Sequence, residues 1–391
     1  MKGLDAISEL KLRFGYGQTG QQDLGTGLFG YYPYLANLGL STLTAQYQLG
    51  FNADGSPRFL QTLRSNQYNP NITWETTTTY NVGLDYGFFG GRLYGSVDVY
   101  KRDTKNLLFF SNIPALSGLS NAGNFNIGSL TNKGVEIVTN LDLVKGERLN
   151  ITVNANGTFN HNEITKLSNS DTSGDIGQKV GGIGGGVGNT AQAYSVGHTA
   201  PTFYLQQQVY GQDGRPLEGV YVDRNGNGTT TDDFYLGKNP RPQFILGGGA
   251  NATYRGFNLA FTLRANLGNY VYNNVRSQAF YDASSNGFEI NRSRDVLNTG
   301  FTTAQYYSDY FLENASFLRM QNATIGYNFG QLVKKNTNLS LSLAVQNVFV
   351  ITKYTGLDPE IVNFQTPPTQ GIDNTIYPRP RTFTVGLNLG I

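Results

Sequence analysis

The eleven residues "DRNGNGTTTDD", Asp223 to Asp233, concentrate oxygen ligands in one short stretch. Oxygen-bearing side chains fall at loop positions 1, 3 and 5 with glycine at 6, the spacing with which an EF-hand type loop wraps calcium. In that reading Asp223, Asn225 and Asn227 supply side-chain oxygens, Gly228 the sharp turn and Thr229 a backbone carbonyl. The pattern departs at Thr230, where isoleucine is usual, and at Phe234, where an acid is usual, so Asp232 or Asp233 must stand in. Two amides among the ligands keep the charge low. Calcium is therefore expected to bind weakly and not as a required cofactor. The rival reading is a polar loop tip that holds nothing.

Other chemistries find little support. "GGIGGGVG" (Gly181–Gly188) lacks the Lys-Ser/Thr pair of a phosphate loop and reads as a mobile surface loop. His161 and His198 have no second ligand at metal spacing and no serine-nucleophile motif beside them. The absence of cysteine excludes disulfides and thiolate metal sites. No catalytic pair stands out, so no enzyme activity is expected. A net charge of +2 is too balanced to point to a nucleic-acid partner.

Aromatic residues in polar stretches are the remaining candidates. Tyr31, Tyr32 and Tyr34 lie in "YYPYL", and Tyr306, Tyr307 and Tyr310 in "YYSDY". Flat rings stack on the C–H faces of sugars while neighbouring amides bind hydroxyls, so such positions suit a substrate site. Packing of the loops on themselves competes with that reading. Trp74, just before a strand, is expected to anchor the strand end.

These residues must be held by strands. Only 14% of the 391 residues are charged, against roughly 25% in an average soluble chain. Gly (49), Tyr (25) and Phe (24) are abundant, as befits pleated surfaces and turns. No run of ~18 apolar residues could span a bilayer as a helix, and the N-terminus lacks the apolar region of a signal peptide. Period-two alternation recurs instead. It is clear in "TTYNVGLDYGF", "LNITVNANGTF", "FNLAFTLRANLG", "NLSLSLAVQNVF" and the terminal "TFTVGLNLGI", and weaker near 10–18, 93–104, 134–144, 243–255 and 317–329. About ten strands follow.

Short breaks, at Phe89–Gly91, Lys145–Arg148, Tyr254–Gly256 and Gly330–Thr337, alternate with long polar stretches at about 19–75, 105–132, 165–242, 271–316 and 353–381. A sandwich has no reason to segregate its turns this way. An outer-membrane barrel has short periplasmic turns and long outer loops, and its strands run ~9–11 residues against ~5–6 in soluble sheets. The expected fold is all-β, a transmembrane antiparallel β-barrel. The terminal strand would turn Phe383, Val385, Leu387, Leu389 and Ile391 to outer-membrane lipid. Loops of this length suit a wide barrel of ~22 strands with a plugged lumen, of which this chain supplies about ten. A soluble β-sandwich, a solenoid or a secreted adhesin is the non-membrane alternative.

Several stretches resemble, in order, the SusC/RagA family of TonB-dependent outer-membrane transporters. They are "NPNITWETTTTYNVGLDYGFFGGRLYGSVDVYKRDTKNLLF" (Asn69–Phe109), "NIGSLTNKGVEI" (Asn126–Ile137), "YVDRNGNGTTTDDFYLGKNPRPQF" (Tyr221–Phe244), "FLRMQNATIGYNF" (Phe317–Phe329) and "YPRPRTFTVGLNLGI" (Tyr377–Ile391). The resemblance covers essentially the whole chain and matches the C-terminal part of such a transporter. It implies uptake of glycans, or of peptides in some members, with a SusD-like lipoprotein over the barrel mouth and energy delivered through TonB. It also implies that the last strand is the signal read by the barrel assembly machinery, although Ile391 stands where an aromatic is usual. Residues 1–391 are expected to be C-terminal barrel, with signal peptide, N-terminal β-sandwich domain, TonB box and plug having no counterpart. The chain is not expected to close a barrel or to couple to TonB by itself. A TonB-linked siderophore or cobalamin receptor is the alternative within the same architecture.

Overall fold

The computed structural model describes residues 6–21, 34–36, 38–40, 46–61, 63–65, 68–112, 122–167, 176–279, 294–330, 337–361 and 370–390. Ten strands form one antiparallel sheet in strict chain order. They are β1 (Ile7–Gln21), β2 (Glu75–Phe88), β3 (Leu93–Asn112), β4 (Ala122–Lys145), β5 (Leu149–Leu167), β6 (Phe244–Tyr254), β7 (Phe257–Leu267), β8 (Phe317–Gly330), β9 (Asn338–Thr352) and β10 (Thr382–Gly390). Every connection is therefore a hairpin. Strands β1 and β10 are the two edges, and the described residues do not close the sheet.

The register aligns the alternating residues into rows that cross the sheet. One row runs Leu12, Leu84, Val97, Ile137, Gly157, Leu246, Ala265, Leu318 and Ile351 from β1 to β9. A second runs Phe14, Val82, Val99, Val135, Phe159, Phe244 and Leu267. Nearer the short turns, Ile151, Ala252, Leu259, Ile325, Leu343 and Val385 carry the belt to β10. Much of this belt is bare: Phe14 is 76% exposed and Phe383 67%. At ~3.3 Å per residue and a tilt of ~40°, an eleven-residue strand such as β6 rises about 25 Å, the height of a membrane barrel's apolar band.

Aromatic pairs mark both rims of the belt. Tyr16–Tyr80 and Phe159–Phe244 lie toward the long loops, with ring centroids 5.4 and 5.2 Å apart. Phe257–Tyr327 lies at the short-turn end, at 4.4 Å. Just beyond the upper aromatics the same row continues as Lys101, Lys133 and His161. Apolar surface thus gives way to charge within one residue pair, as at the edge of a bilayer's hydrocarbon. The turn at Arg255 and Gly256 shows why the hairpins are tight. Both residues have positive φ (44° and 91°), the conformation of a two-residue turn that matches strand twist.

One expectation is corrected. The stretch 105–132 is mostly strand: β3 extends to Asn112 and β4 begins at Ala122. The sequence hid this for two reasons. Register shifts at Lys105/Leu107, Leu107/Leu108 and Ser129/Leu130, with Asn106 at φ 59°, break the alternation. Above the belt, moreover, Phe109 and Leu130 pack against Ile164, Leu167, Val196 and Ala200, so the outer face no longer dictates which residues are apolar.

The long stretches hold structure of their own. Residues 176–182, 190–195, 202–206 and 234–236 form a four-stranded sheet, and Gln208–Tyr210 pairs with Pro216–Tyr221. "GGIGGGVG" is the tip of a hairpin in this sheet. Gly185, at φ 91°, lies so close to the Tyr306 ring that a Cβ would come within 2.4 Å of it. The largest buried cluster, with Phe203, Leu205, Tyr272, Phe301, Phe311 and Ile372, is assembled from three of these connections. The core of this chain sits in its loops.

Candidate functional site

The face opposite the apolar belt is polar and of two kinds. On β1–β3 it is charged: Arg13 donates from Nε to both oxygens of Asp85 at 3.0 Å and from Nη2 to Asp98 at 2.8 Å. Gly83 lies beneath this bridge, where a Cβ would stand 2.6 Å from the guanidinium carbon. A glycine is needed for the arginine to lie flat across the strands. From β5 onward the polar face is mainly neutral, with Asn154 and Asn156 on β5, Asn251 on β6, Asn258 and Thr262 on β7, Thr324 on β8 and Ser340 and Ser342 on β9. Amides and hydroxyls there offer donors and acceptors without fixed charge.

Arg264 of β7 and Arg319 of β8 interrupt this neutral sector. Asp358 and Glu360, from the connection 353–381, reach back to meet them, so that segment folds across the polar face. Arg319 Nη2 lies 2.7 Å from Asp358 and its Nε 3.2 Å from Glu360. Arg264 Nη2 is 2.5 Å from Glu360, and Arg379 binds both acids at 3.5 and 3.1 Å. Arg319 and Asp358 are only 3% and 5% exposed at their side chains. Burial makes such a cluster costly unless every charge is met, which here ties the strap to the wall. Asn347, at φ 52°, accepts from Arg319 Nη1 at 2.7 Å and donates to the Arg379 carbonyl at 3.0 Å. Beside Glu360 lies a cavity of about 70 Å³, lined also by Asn266, Asn269 and Gln370. Ligand pockets run to ~300–1,000 Å³, so this one is no solute site.

Above the wall, polar side chains knit the connections together. Asp309 accepts from the Gln208 backbone N–H at 2.9 Å and from the Tyr235 hydroxyl at 2.7 Å; burial, with Asp309 beside it, raises the Tyr235 phenol well above its ordinary value. Glu313 accepts from the backbone N–H and hydroxyl of Thr355 at 2.7 and 2.8 Å. Arg276 lies between Glu313 and Asp295. Burial would lower its pKa, but the two carboxylates outweigh that and hold it charged. Tyr221 is pushed up to about 12, mainly by burial.

The residues singled out from the sequence are scattered over this assembly. Tyr306, Tyr307 and Tyr310 pack against the loop core: the Tyr306 carbonyl accepts from Tyr272, Tyr307 meets Phe234 edge-on at 5.0 Å, and Arg276 stands 5.2 Å over the Tyr310 ring. Tyr34 is exposed; Tyr31, Tyr32 and Ile391 lie outside the described residues. Trp74 immediately precedes β2, exposed, with its ring over Gly20 of β1. Phe383, Val385, Leu387 and Leu389 are all exposed on the belt side of β10. His161 faces Glu163 at 3.6 Å.

The calcium-like stretch forms a closed loop. Asp223 accepts from the backbone N–H groups of Gly226 and Gly228 at 2.6 and 2.9 Å, Asn225 from Asn227 at 2.9 Å, and Asn227 from Thr229 at 2.8 Å. Among the described residues no group of three or more His, Cys, Asp or Glu is placed to hold a metal. Sequence reasoning missed both arginine clusters. Their members are far apart in the chain (Arg319 and Asp358 by 39 residues), and the only hint was charge on the polar side of strands in a chain with little charge.

A hairpin-only sheet with an outward apolar belt, aromatic rims and structured long loops defines a membrane β-barrel wall, and the comparisons name the class. The chain belongs to the family of TonB dependent receptor-like β-barrels, whose profile matches residues 4–348. It is 39% identical over 400 residues to the TonB-dependent receptor SusC of Bacteroides thetaiotaomicron, and 28% identical over 422 residues to the TonB-dependent receptor P26 of Formosa agariphila. It spans all of its own length in both cases but only 38% and 40% of those relatives. Its fold is that of the RagAB peptide transporter, with a TM-score of 0.76 at 23% identity, covering 100% of this chain and 42% of that one. Receptors of this family are outer-membrane β-barrels.

Proposed function

We propose that this chain forms part of the wall and the outer loops of an outer-membrane, TonB-dependent importer of SusC/RagA type. The observation that carries the reading is the two-faced sheet: an exposed apolar belt on one side and a mainly neutral Asn/Thr/Ser surface from β5 to β9 on the other. A wall of amides and hydroxyls favours uncharged, hydroxyl-rich solutes, so the substrate is a glycan oligomer; the peptide named for RagAB is the second candidate. Tyr31, Tyr32, Tyr34, Tyr306, Tyr307 and Tyr310 are proposed as its aromatic contacts, Tyr34 foremost among the described rings because it is exposed. The loops meet a SusD-like lipoprotein, TonB supplies the energy for import, and β10 serves the barrel assembly machinery. The chain has no enzymatic role and no nucleic-acid partner.

The test is transport. Disruption of the gene encoding this chain in its host should abolish uptake of labelled neutral oligosaccharides and leave oligopeptide and iron-chelate uptake intact. Loss of peptide or chelate uptake alone would overturn the glycan assignment. Hydrolysis of the oligosaccharide by purified protein would overturn the non-enzymatic one.

A further inference from the structure

We infer that Arg241, with Asn160, Asn162 and Asn239, forms a carboxylate-binding subsite at the mouth of the lumen. The subsite rests on the importer reading above and adds one acidic group to a mainly neutral solute. Its height follows from the register. Asn160 donates its backbone N–H to the Gln243 carbonyl at 3.1 Å, one step beyond the Phe159–Phe244 pair of the upper rim. Asn160 and Asn162 have the parity opposite to Phe159 and so lie on the face away from lipid.

Neighbouring groups hold each side chain by its acceptor. Tyr100 of β3 lies across Gly134 of β4, where a Cβ would stand 2.6 Å from the Tyr100 hydroxyl, and donates to Asn160 Oδ1 at 3.0 Å. Asn162 Oδ1 accepts from the Ala200 backbone N–H at 3.0 Å, and Asn239 Oδ1 from that of Arg241 at 3.1 Å. Arg241 Nε donates to the Ala200 carbonyl at 2.7 Å. All four residues line one cavity of about 20 Å³.

What these groups leave unspent is donors. A backbone N–H on Asn162 and on Asn239 fixes which end of each amide is oxygen, so the NH₂ ends are the free ones. The two Nη groups of Arg241 are free as well among the described residues, and no carboxylate there pairs with it. Arg13, Arg276 and Arg319, by contrast, all meet carboxylates of this chain. Asn162 is only 6% exposed, and buried donors without an acceptor are costly. Donors around one fixed positive charge call for an anion. Volume selects which: about 20 Å³ admits one or two atoms of water size, enough for the oxygens of a carboxylate and too little for a sulfate or phosphate tetrahedron. With Nε engaged, the Nη pair forms the fork that a carboxylate meets with both oxygens.

Two kinds of solute carry such a group on a largely neutral frame: a glycan with a uronic acid unit and a peptide with a free C-terminus. The experiment uses the protein purified in detergent from the outer membrane of its host, with binding read by titration calorimetry. The probes are trigalacturonate against its carboxyl-reduced neutral counterpart, and an N-acetylated tripeptide of serine and glycine against its C-terminal amide. The acid of one pair should bind at least about tenfold more tightly than its neutral partner, the scale of a hydrogen bond to a charged group. The pair that shows this preference identifies the source of the carboxylate. Arg241→Gln keeps a planar donor without the charge, and should erase the preference while leaving the neutral probe's affinity unchanged. Arg241→Lys keeps the charge without the fork and should retain part of the preference. It gives a second reading should Arg241→Gln fail to fold, as judged by heat-modifiable gel mobility. Arg215→Gln, in an exposed turn beside Asp213, should change nothing. Equal binding of acid and neutral probes in both pairs would overturn the proposal. So would a preference that survives in a folded Arg241→Gln protein, or no binding of any probe. Binding is read without transport, so a failure of import would count against the importer reading and leave this result standing.

Discussion

The wall and the loops of this chain obey opposite rules with the same residues. In the wall, Phe14, Val82, Val385 and Leu387 are exposed, and the polar residues point to the other side. In the loops, Phe203, Phe301, Phe311 and Tyr272 are fully or almost fully buried, and polar side chains such as Asp309, Glu313 and Arg276 are paired around them. The difference is the solvent each region meets. A belt facing hydrocarbon needs no cover, because lipid is as apolar as its own side chains. Loops facing water must make their own core. An exposed phenylalanine is thus the normal state in one region and a defect in the other.

That contrast can be broken by substitution. The largest effect is expected at the ion cluster joining the two regions: Arg319→Met removes the buried cation, leaving Asp358 only the half-exposed Arg379 and Glu360 only Arg264 and Arg379, and should cost about 3–5 kcal/mol, seen as early release of segment 353–361 to protease. Phe311→Ala should cost a similar ~3–5 kcal/mol in the loop core, while Phe383→Ala on the belt should scarcely move detergent-resistant gel mobility. If both phenylalanines proved equally costly, the two-solvent picture would fail. Val97→Arg, at mid-belt, should destabilise the folded sheet by ~2–4 kcal/mol in bilayers, whereas an arginine at the exposed Leu297 of the loops should be near neutral.

The smallest effect is a pH dependence confined to the loops. Burial would raise the Glu218 carboxyl, but the hydroxyl of Thr303 and the backbone N–H groups of Thr302 and Thr303 outweigh it and hold the group below its usual range. Its contribution is then complete above the ordinary glutamate pKa and is lost as pH falls through the lower folded value. Solvent screening limits this to a few tenths of a kcal/mol. Proteolysis of hairpin 208–221 should quicken modestly below pH ~4, and Glu218→Gln should abolish that difference.

The wall was largely legible in the sequence because a residue's side of the sheet follows from its parity, and parity needs no partner. Phe383, Val385, Leu387 and Leu389 fall on one face whatever they pair with. Legibility ended where bulges reset parity, at Asn106 and between Met320 and Asn322, and where loops covered the strands above the belt. The calcium-like loop was visible as a local spacing, but the burial of Asp233, which is 3% exposed, was not. Likewise, the aromatic stretch at Tyr306–Tyr310 was visible, but not its packing on Gly185, Phe234 and Arg276.

By itself, then, the sequence determined the strands, their faces, the alternation of short and long connections and the family resemblance, all of which rest on neighbours within a few residues. Only the tertiary structure decided that Arg13 bridges Asp85 and Asp98, that segment 353–361 folds across the polar face onto Arg264 and Arg319, and that three connections share one core. Those contacts join residues tens to more than a hundred positions apart, and their strength comes from burial and charge pairing that no local pattern encodes.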